Sequence, residues 1–120
     1  MGFVEDEIEL IGHIKSKKLL ALFDTGADAN YIRKRFLDGD SIENIGYIAI
    51  RTDYAVEHSN GEIDNAEAVA FIRMNYRVIK AKKPVFIINP AMGHDVILGA
   101  DFMQTHGIIL DPKCEKAYFG

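Results

Sequence analysis

The sequence predicts an all-β domain with one or two short helices. Three observations predict it. Apolar and polar residues alternate with period two near the N-terminus, the signature of a half-buried strand. Short apolar runs recur along the chain, each bounded by turn-forming residues. An Asn-Gly pair, Asn60-Gly61, sits between two strand-like arms, and both residues tolerate the positive φ that a tight hairpin needs.

Taken in order, Ile8, Leu10, Gly12 and Ile14 alternate with Glu7, Glu9 and His13, giving the first strand. Lys15–Lys18 reads as a polar turn. Leu19–Phe23 is a continuous apolar run, which predicts a strand buried on both faces. It stops at Asp24-Thr25-Gly26. Ile32, Phe36 and Leu37 fall at helical spacing, so a short helix is expected between Asn30 and Leu37. Asp38–Ser41 is loop. Strands are expected at Tyr47–Ile50 and Tyr54–Val56, then the Asn-Gly hairpin. Ala66–Met74 is read as one strand, turned back at Asn75-Tyr76 into Arg77–Ile79. Val85–Ile88 follows Pro84. Val96–Leu98 runs into Gly99. Phe102–His106 is a short helix ended by Gly107. Ile108–Leu110 and Ala117–Phe119 form a last hairpin around the turn Asp111–Glu115. One echo is visible: Gly26-Ala27-Asp28 and Gly99-Ala100-Asp101 each follow an apolar strand.

The 120 residues fit a single domain spanning 1–120. A net charge of -4 argues against nucleic acid, whose binders carry basic stripes. The triplets Lys15, Lys17, Lys18 and Lys80, Lys82, Lys83 read as solvated turns or edges. Cys114 is the sole cysteine, which suits a reducing compartment. The N-terminus is acidic and lacks a signal-peptide pattern. No apolar run approaches the ~18 residues of a membrane helix. A cytoplasmic protein with no membrane contact is expected. His13, His58, His94 and His106 lack metal-ligand spacing, so no metal and no cofactor is expected.

The chemistry concentrates at Asp24. A strand brings its carboxylate to the edge of the core. Thr25 can lock the following turn, and Gly26 lets other backbone approach. A carboxylate held this rigidly suits acid–base catalysis. Other readings compete. Asp, Thr and Gly all favour plain turns. A phosphate-contacting Asp-x-Gly turn of the actin-like ATPases requires two large lobes. A phosphatase nucleophile requires a second Asp where Gly26 stands.

Three segments in order resemble the retropepsin-like aspartic proteases, the retroviral-type enzymes and their cellular and prokaryotic relatives. They are Leu20–Ala27, with Asp24-Thr25-Gly26; Ser59-Asn60-Gly61-Glu62; and Asp95–Phe102, followed by His106–Asp111. Together they span nearly the whole chain. The resemblance implies a closed, barrel-like acid-protease fold that forms half of a C2 homodimer, each subunit supplying one catalytic Asp24. Thr25 and Gly26 would shape the active-site loop. Ala27, Asp28, Ser59, Asn60, Gly61 and Ile97 would bind substrate, with Ser59, Asn60 and Gly61 at the tip of a flap. The implied activity is hydrolysis of a peptide or protein substrate by a homodimeric aspartic endopeptidase.

The sequence departs from the family in two places. Ala100 stands where many viral members carry an Arg that pairs with the counterpart of Asp28. Asp95 stands at a usually apolar position, either tuning specificity or lying solvated in a loop. The alternative reading is a catalytically silent peptide-binding or dimerisation module on the same fold. A nucleotide-binding domain would need a phosphate loop and βαβ alternation, and the sequence has neither.

Overall fold

A computed structural model describes residues 3–53, 55–57, 60–111, 113 and 116–119. Thirteen strands and two short helices are present among the described residues, so the chain belongs to the all-β class. Among these residues no helix is long and apolar enough to cross a membrane.

Strands β1 (Phe3–Ile11) and β2 (Ser16–Asp24) form an antiparallel hairpin along their full length. Chain reversal takes place at residues 12–15, where the Gly12 amide donates to the Lys15 carbonyl. β2 is not buried on both faces. Leu19, Ala21 and Phe23 point into the core, while Leu20 is 53 % exposed and Leu22 is half-buried. Cross-strand partners share a face of a pleated sheet, so the apolar run serves two different surfaces.

The helix expected at Asn30–Leu37 is absent. Residues Tyr31–Ile32 form β3, paired with two distant strands, and the chain then loops. A helix, α1, comes later at Ile42–Ile45. Ser41 caps it, its hydroxyl accepting from the Asn44 amide, and Ile42 and Ile45 are buried. Sheet pairing of Ile32 overrides the weak local helical pattern, as tertiary context commonly does. Residues 47–49 are not strand. Tyr47 is buried and its hydroxyl donates to the Ile11 carbonyl at 2.6 Å, so β4 starts only at Ile50–Arg51.

β5 (Ala55–Glu57) and β6 (Ile63–Asn65) form the expected hairpin as a separate two-stranded sheet. The single strand expected at 66–74 is two, β7 (Ala68–Phe71) and β8 (Arg73–Tyr76), broken at buried Ile72. The Ile72 amide bonds to the Pro84 carbonyl instead of continuing a ladder. The next reversal lies at Arg77-Val78, two residues beyond the expected turn, with Arg77 at φ 51. It leads into β9 (Ile79–Ala81). β10 (Val85–Ile88) and β11 (Val96–Leu98) match the sequence reading. α2 (Ala100–His106) starts two residues before the expected helix and ends at Gly107, in the left-handed region at φ 67. β12 (Ile108–Asp111) and β13 (Lys116–Phe119) make the last hairpin.

The main sheet runs β4-β7-β10-β3-β11-β2-β1-β8-β9. One of its faces buries the principal core. Phe23, Phe86, Leu98 and Tyr76 meet there with Ile42 and Ile45 of α1 and Phe102 of α2. Phe23 and Tyr76 stack at 4.6 Å between centroids, a contact that adds to their burial. A smaller cluster of Ala66, Val69 and Ile87, with Tyr31 and Val85 against it, is separate from that core.

Candidate active site

β2 and β11 lie side by side in parallel at the centre of the sheet, with Leu98 in register with Phe23. Both chains therefore leave the sheet at the same end. The echo in the sequence becomes spatial: Asp24-Thr25-Gly26 and Gly99-Ala100-Asp101 emerge as neighbours. The Ala100 amide donates to the Ala27 carbonyl at 2.7 Å. Gly99 is buried, and a Cβ on it would stand 2.4 Å from the Ala29 carbonyl oxygen and 2.6 Å from that of Ala27. Only glycine permits this approach of backbone to backbone.

Asp24 ends β2 and is half-buried. Its Oδ1 accepts from the Gly26 amide at 2.8 Å, and its carbonyl accepts from the Ala27 amide at 3.1 Å. The carboxylate is thus oriented by the turn that follows it. Thr25 and Gly26 are exposed beside it, whereas Ala27 and Asp28 are half-buried. Asp28 shares with Asp101, Asn30 and Val85 the lining of a small cavity of about 90 Å³.

Asn30 carried no signal in the sequence, yet it braces the loop. Its Oδ1 accepts from the Gly99 amide at 3.1 Å and its Nδ2 donates to the Val85 carbonyl at 3.3 Å. It therefore ties β3's approach to both β10 and β11.

The register extends the site across the sheet. Leu22 pairs with Ile97, Ile97 with Tyr31, Tyr31 with Ile87, Ile87 with Val69 and Val69 with Ile50. Asp24 lies two residues from Leu22, so all these side chains share its face. An apolar row over six strands spans about 24 Å at the usual strand spacing. Leu22, Ile97 and Tyr31 are half-buried and Ile50 is 45 % exposed, whereas Ile87 and Val69 between them are buried in the smaller cluster. Of this row the sequence reading identified Ile97. Leu22 carried no signal of its own, because Leu19–Phe23 is apolar throughout.

Asp95 lies in the bend before β11, and its carboxylate is engaged by backbone. It is half-buried; its Oδ1 accepts from the Leu37 amide at 2.7 Å and its carbonyl accepts from the Arg33 amide at 2.9 Å. It anchors the loop after β3 to the start of β11. Asp101 is exposed in the first turn of α2.

Asn60 and Gly61 lie at the exposed tip of the β5–β6 hairpin. Asn60 Oδ1 accepts from the Glu62 amide at 3.0 Å, and Gly61 takes φ 86. Ser59 lies outside the described residues, as do His58 and Cys114. The structure thus brings Asp24, Thr25, Gly26, Ala27, Asp28 and Ile97 to one end of β2 and β11, with Asn60 and Gly61 on a hairpin of their own. Among the described residues, no group of three or more His, Cys, Asp or Glu side chains is placed to hold a metal ion.

No family model matches the chain, and no curated protein matches it. Among solved structures, protein Lpg0085 from Legionella pneumophila subsp. pneumophila str. Philadelphia 1, of unknown function (DUF785), is similar at a TM-score of 0.51. The match covers 84 % of each chain at 13 % sequence identity. At that identity it is a likeness of fold alone.

Proposed function

We propose that this chain is a retropepsin-type aspartic endopeptidase in which two subunits each contribute Asp24. One observation carries the reading: Asp24 stands at the end of a central strand, oriented by the Gly26 amide, on the same face as a long apolar row. An extended peptide advances about 3.3 Å per residue and presents alternate side chains to one face. Alternate side chains of such a peptide would meet the accessible part of the row at Leu22, Ile97 and Tyr31, and its main chain would meet the loop at Ala27 and Asp28.

The chain has one Asp-Thr-Gly, so a two-carboxylate mechanism requires a second copy, most simply about a twofold axis. Two carboxylates in contact do not both ionise readily. One keeps a proton, and the pair acts as one base and one acid, a general property of aspartic proteases. The ionised Asp24 takes a proton from water as the hydroxyl oxygen bonds to the peptide carbonyl carbon. The protonated Asp24 hydrogen-bonds the carbonyl oxygen. Collapse of the tetrahedral intermediate breaks the C–N bond, and a proton from the pair goes to the leaving nitrogen. The Asn60-Gly61 tip would close over the substrate and exclude water. The closed, barrel-like half-enzyme and a cytoplasmic setting belong to the same reading.

The test is incubation with a diverse peptide mixture from acidic to neutral pH, read by mass spectrometry, beside Asp24→Asn. Cleavage by the wild type alone is expected. Cleavage by both would remove Asp24 from the mechanism. Retained peptide affinity with no cleavage would favour a silent binding module. Sedimentation equilibrium tests the shared pair separately, and a strict monomer at every concentration would sink it.

A further inference from the structure

A cavity with a basic lining lies at the other end of the sheet. β3 runs antiparallel to β11, and β11 runs parallel to β2. The chain after β3 therefore sits at the end away from Asp24, where the Arg33 amide meets the carbonyl of Asp95, just before β11. There Arg33, Lys34, Arg35, Ser41, Glu43 and Pro90 line a cavity of about 400 Å³, within the size range of small-molecule pockets.

Three consecutive basic residues on a regular strand would point alternately to opposite faces. Here the chain bends and all three border one cavity. The rim is held by backbone: Arg35 bridges Ser41, and the Ile42 amide donates to the Lys34 carbonyl at 3.0 Å. Arg33 donates from Nε to the Arg35 carbonyl at 3.0 Å and from Nη1 to the Met92 carbonyl at 2.7 Å. Arg35 donates from Nη1 to the Gly39 carbonyl at 3.3 Å. Carbonyls orient a guanidinium without cancelling its charge, and each fork keeps further N–H groups. Lys34 pairs with Glu43 at 3.0 Å, but both side chains are more than half exposed, and such a pair holds weakly. The nearby carboxylates of Asp38 and Asp40 are engaged by Lys17 and Lys15. The Ser41 hydroxyl accepts from the Asn44 amide and can still donate.

The geometry points to a binding site for a small phosphomonoester. Three cations against the carboxylate of Glu43 leave an excess of two positive charges on the lining, matching a phosphomonoester near its dianionic form. Oriented guanidinium forks suit phosphate oxygens. Pro90 supplies an apolar wall for the body of the ligand. This site is independent of the Asp24 reading.

The test is calorimetric titration of the full chain with phenyl phosphate, inorganic phosphate and benzoate at constant ionic strength. Saturable binding of phenyl phosphate is expected, with inorganic phosphate weaker for want of the apolar body and benzoate at least about tenfold weaker for want of the second charge. Arg35→Gln and Lys34→Gln should each weaken phenyl phosphate about tenfold, and Asp24→Asn should bind it as the wild type does. Circular dichroism checks the fold of each variant. Should Arg35→Gln fail to fold, Lys34→Gln carries the same reading. Absence of saturation below about 10 mM, equal binding of benzoate, or undiminished binding by a folded variant would overturn the assignment.

Discussion

The Ala100 amide donates to the Ala27 carbonyl at 2.7 Å, fastening the start of α2 to the loop that leaves Asp24. That bond exists because Gly99 carries no side chain. Gly99→Ala would force a methyl against the carbonyl oxygens of Ala27 and Ala29 at 2.6 Å and 2.4 Å. Backbone cannot swing aside as a side chain can. Destabilisation of about 2–3 kcal/mol is expected, measurable by urea denaturation, although only one carbon is added.

Neighbouring apolar residues in β2 should respond very differently to truncation. Phe23 is fully buried against Tyr76, whereas Leu20 is 53 % exposed. Phe23→Ala should cost about 3–4 kcal/mol. Leu20→Ala should stay within about 0.5 kcal/mol. Equal losses in chemical denaturation of a dilute sample would contradict the alternation.

Asp6 of β1 accepts from the Tyr76 hydroxyl at 2.7 Å and from Arg77 Nη2 at 2.8 Å. Arg77 also donates from Nη1 to the Ala117 carbonyl at 2.6 Å, drawing β13 toward β1. Burial pushes the Asp6 carboxyl up, but bonds from Tyr76, the Glu7 amide and Arg77 outweigh it and hold the group below its ordinary value. A carboxylate depressed in the folded state adds stability above its unfolded value of about 3.9, and this fades as pH falls through the folded value. With Asp6 and Arg77 side chains 32 % and 43 % exposed, solvent screening limits the loss in Asp6→Asn to about 1 kcal/mol at pH 7. Thermal melts should show the gap between wild type and variant narrowing below about pH 4.

Gly61 tests backbone strain with little packing involved. It takes φ 86, and a Cβ there would meet nothing within 4 Å. Gly61→Ala should cost about 1 kcal/mol through the left-handed conformation alone. Under the proposed function it should also lower kcat/KM through the hairpin tip while Asp24 chemistry stays intact. A steady-state assay with a peptide found in the cleavage screen checks this.

What was legible in the sequence was local. Asp24 at a strand end, the Asn60-Gly61 hairpin, the helix stopped by Gly107 and the final hairpin all carry their signals within a few residues. What was missed depends on distant partners. Ile32 looked helical beside Phe36 but pairs with Val96 and Ile88. Asn30 braces Gly99 and Val85, 69 and 55 positions away. Leu19–Phe23 contains no polar residue to betray its alternation, because both its faces are apolar for different reasons: one packs the core and the other continues the row through Ile97 and Tyr31. The three basic residues after Ile32 drew no reading of their own, because nothing local says that the chain bends there.

The pairing of β2 with β11 also sets an order of events during synthesis. The β1–β2 hairpin closes over a handful of residues and can form early. Its parallel neighbour lies more than seventy positions further along, and loop closure over such a distance is slow. Until Val96–Leu98 has been made and docked, Asp24 has no Gly99 beside it and the Ala27 carbonyl lacks its partner. A nascent chain therefore carries the carboxylate long before it carries the frame around it, and whatever chemistry Asp24 performs is withheld until nearly all of the chain has folded.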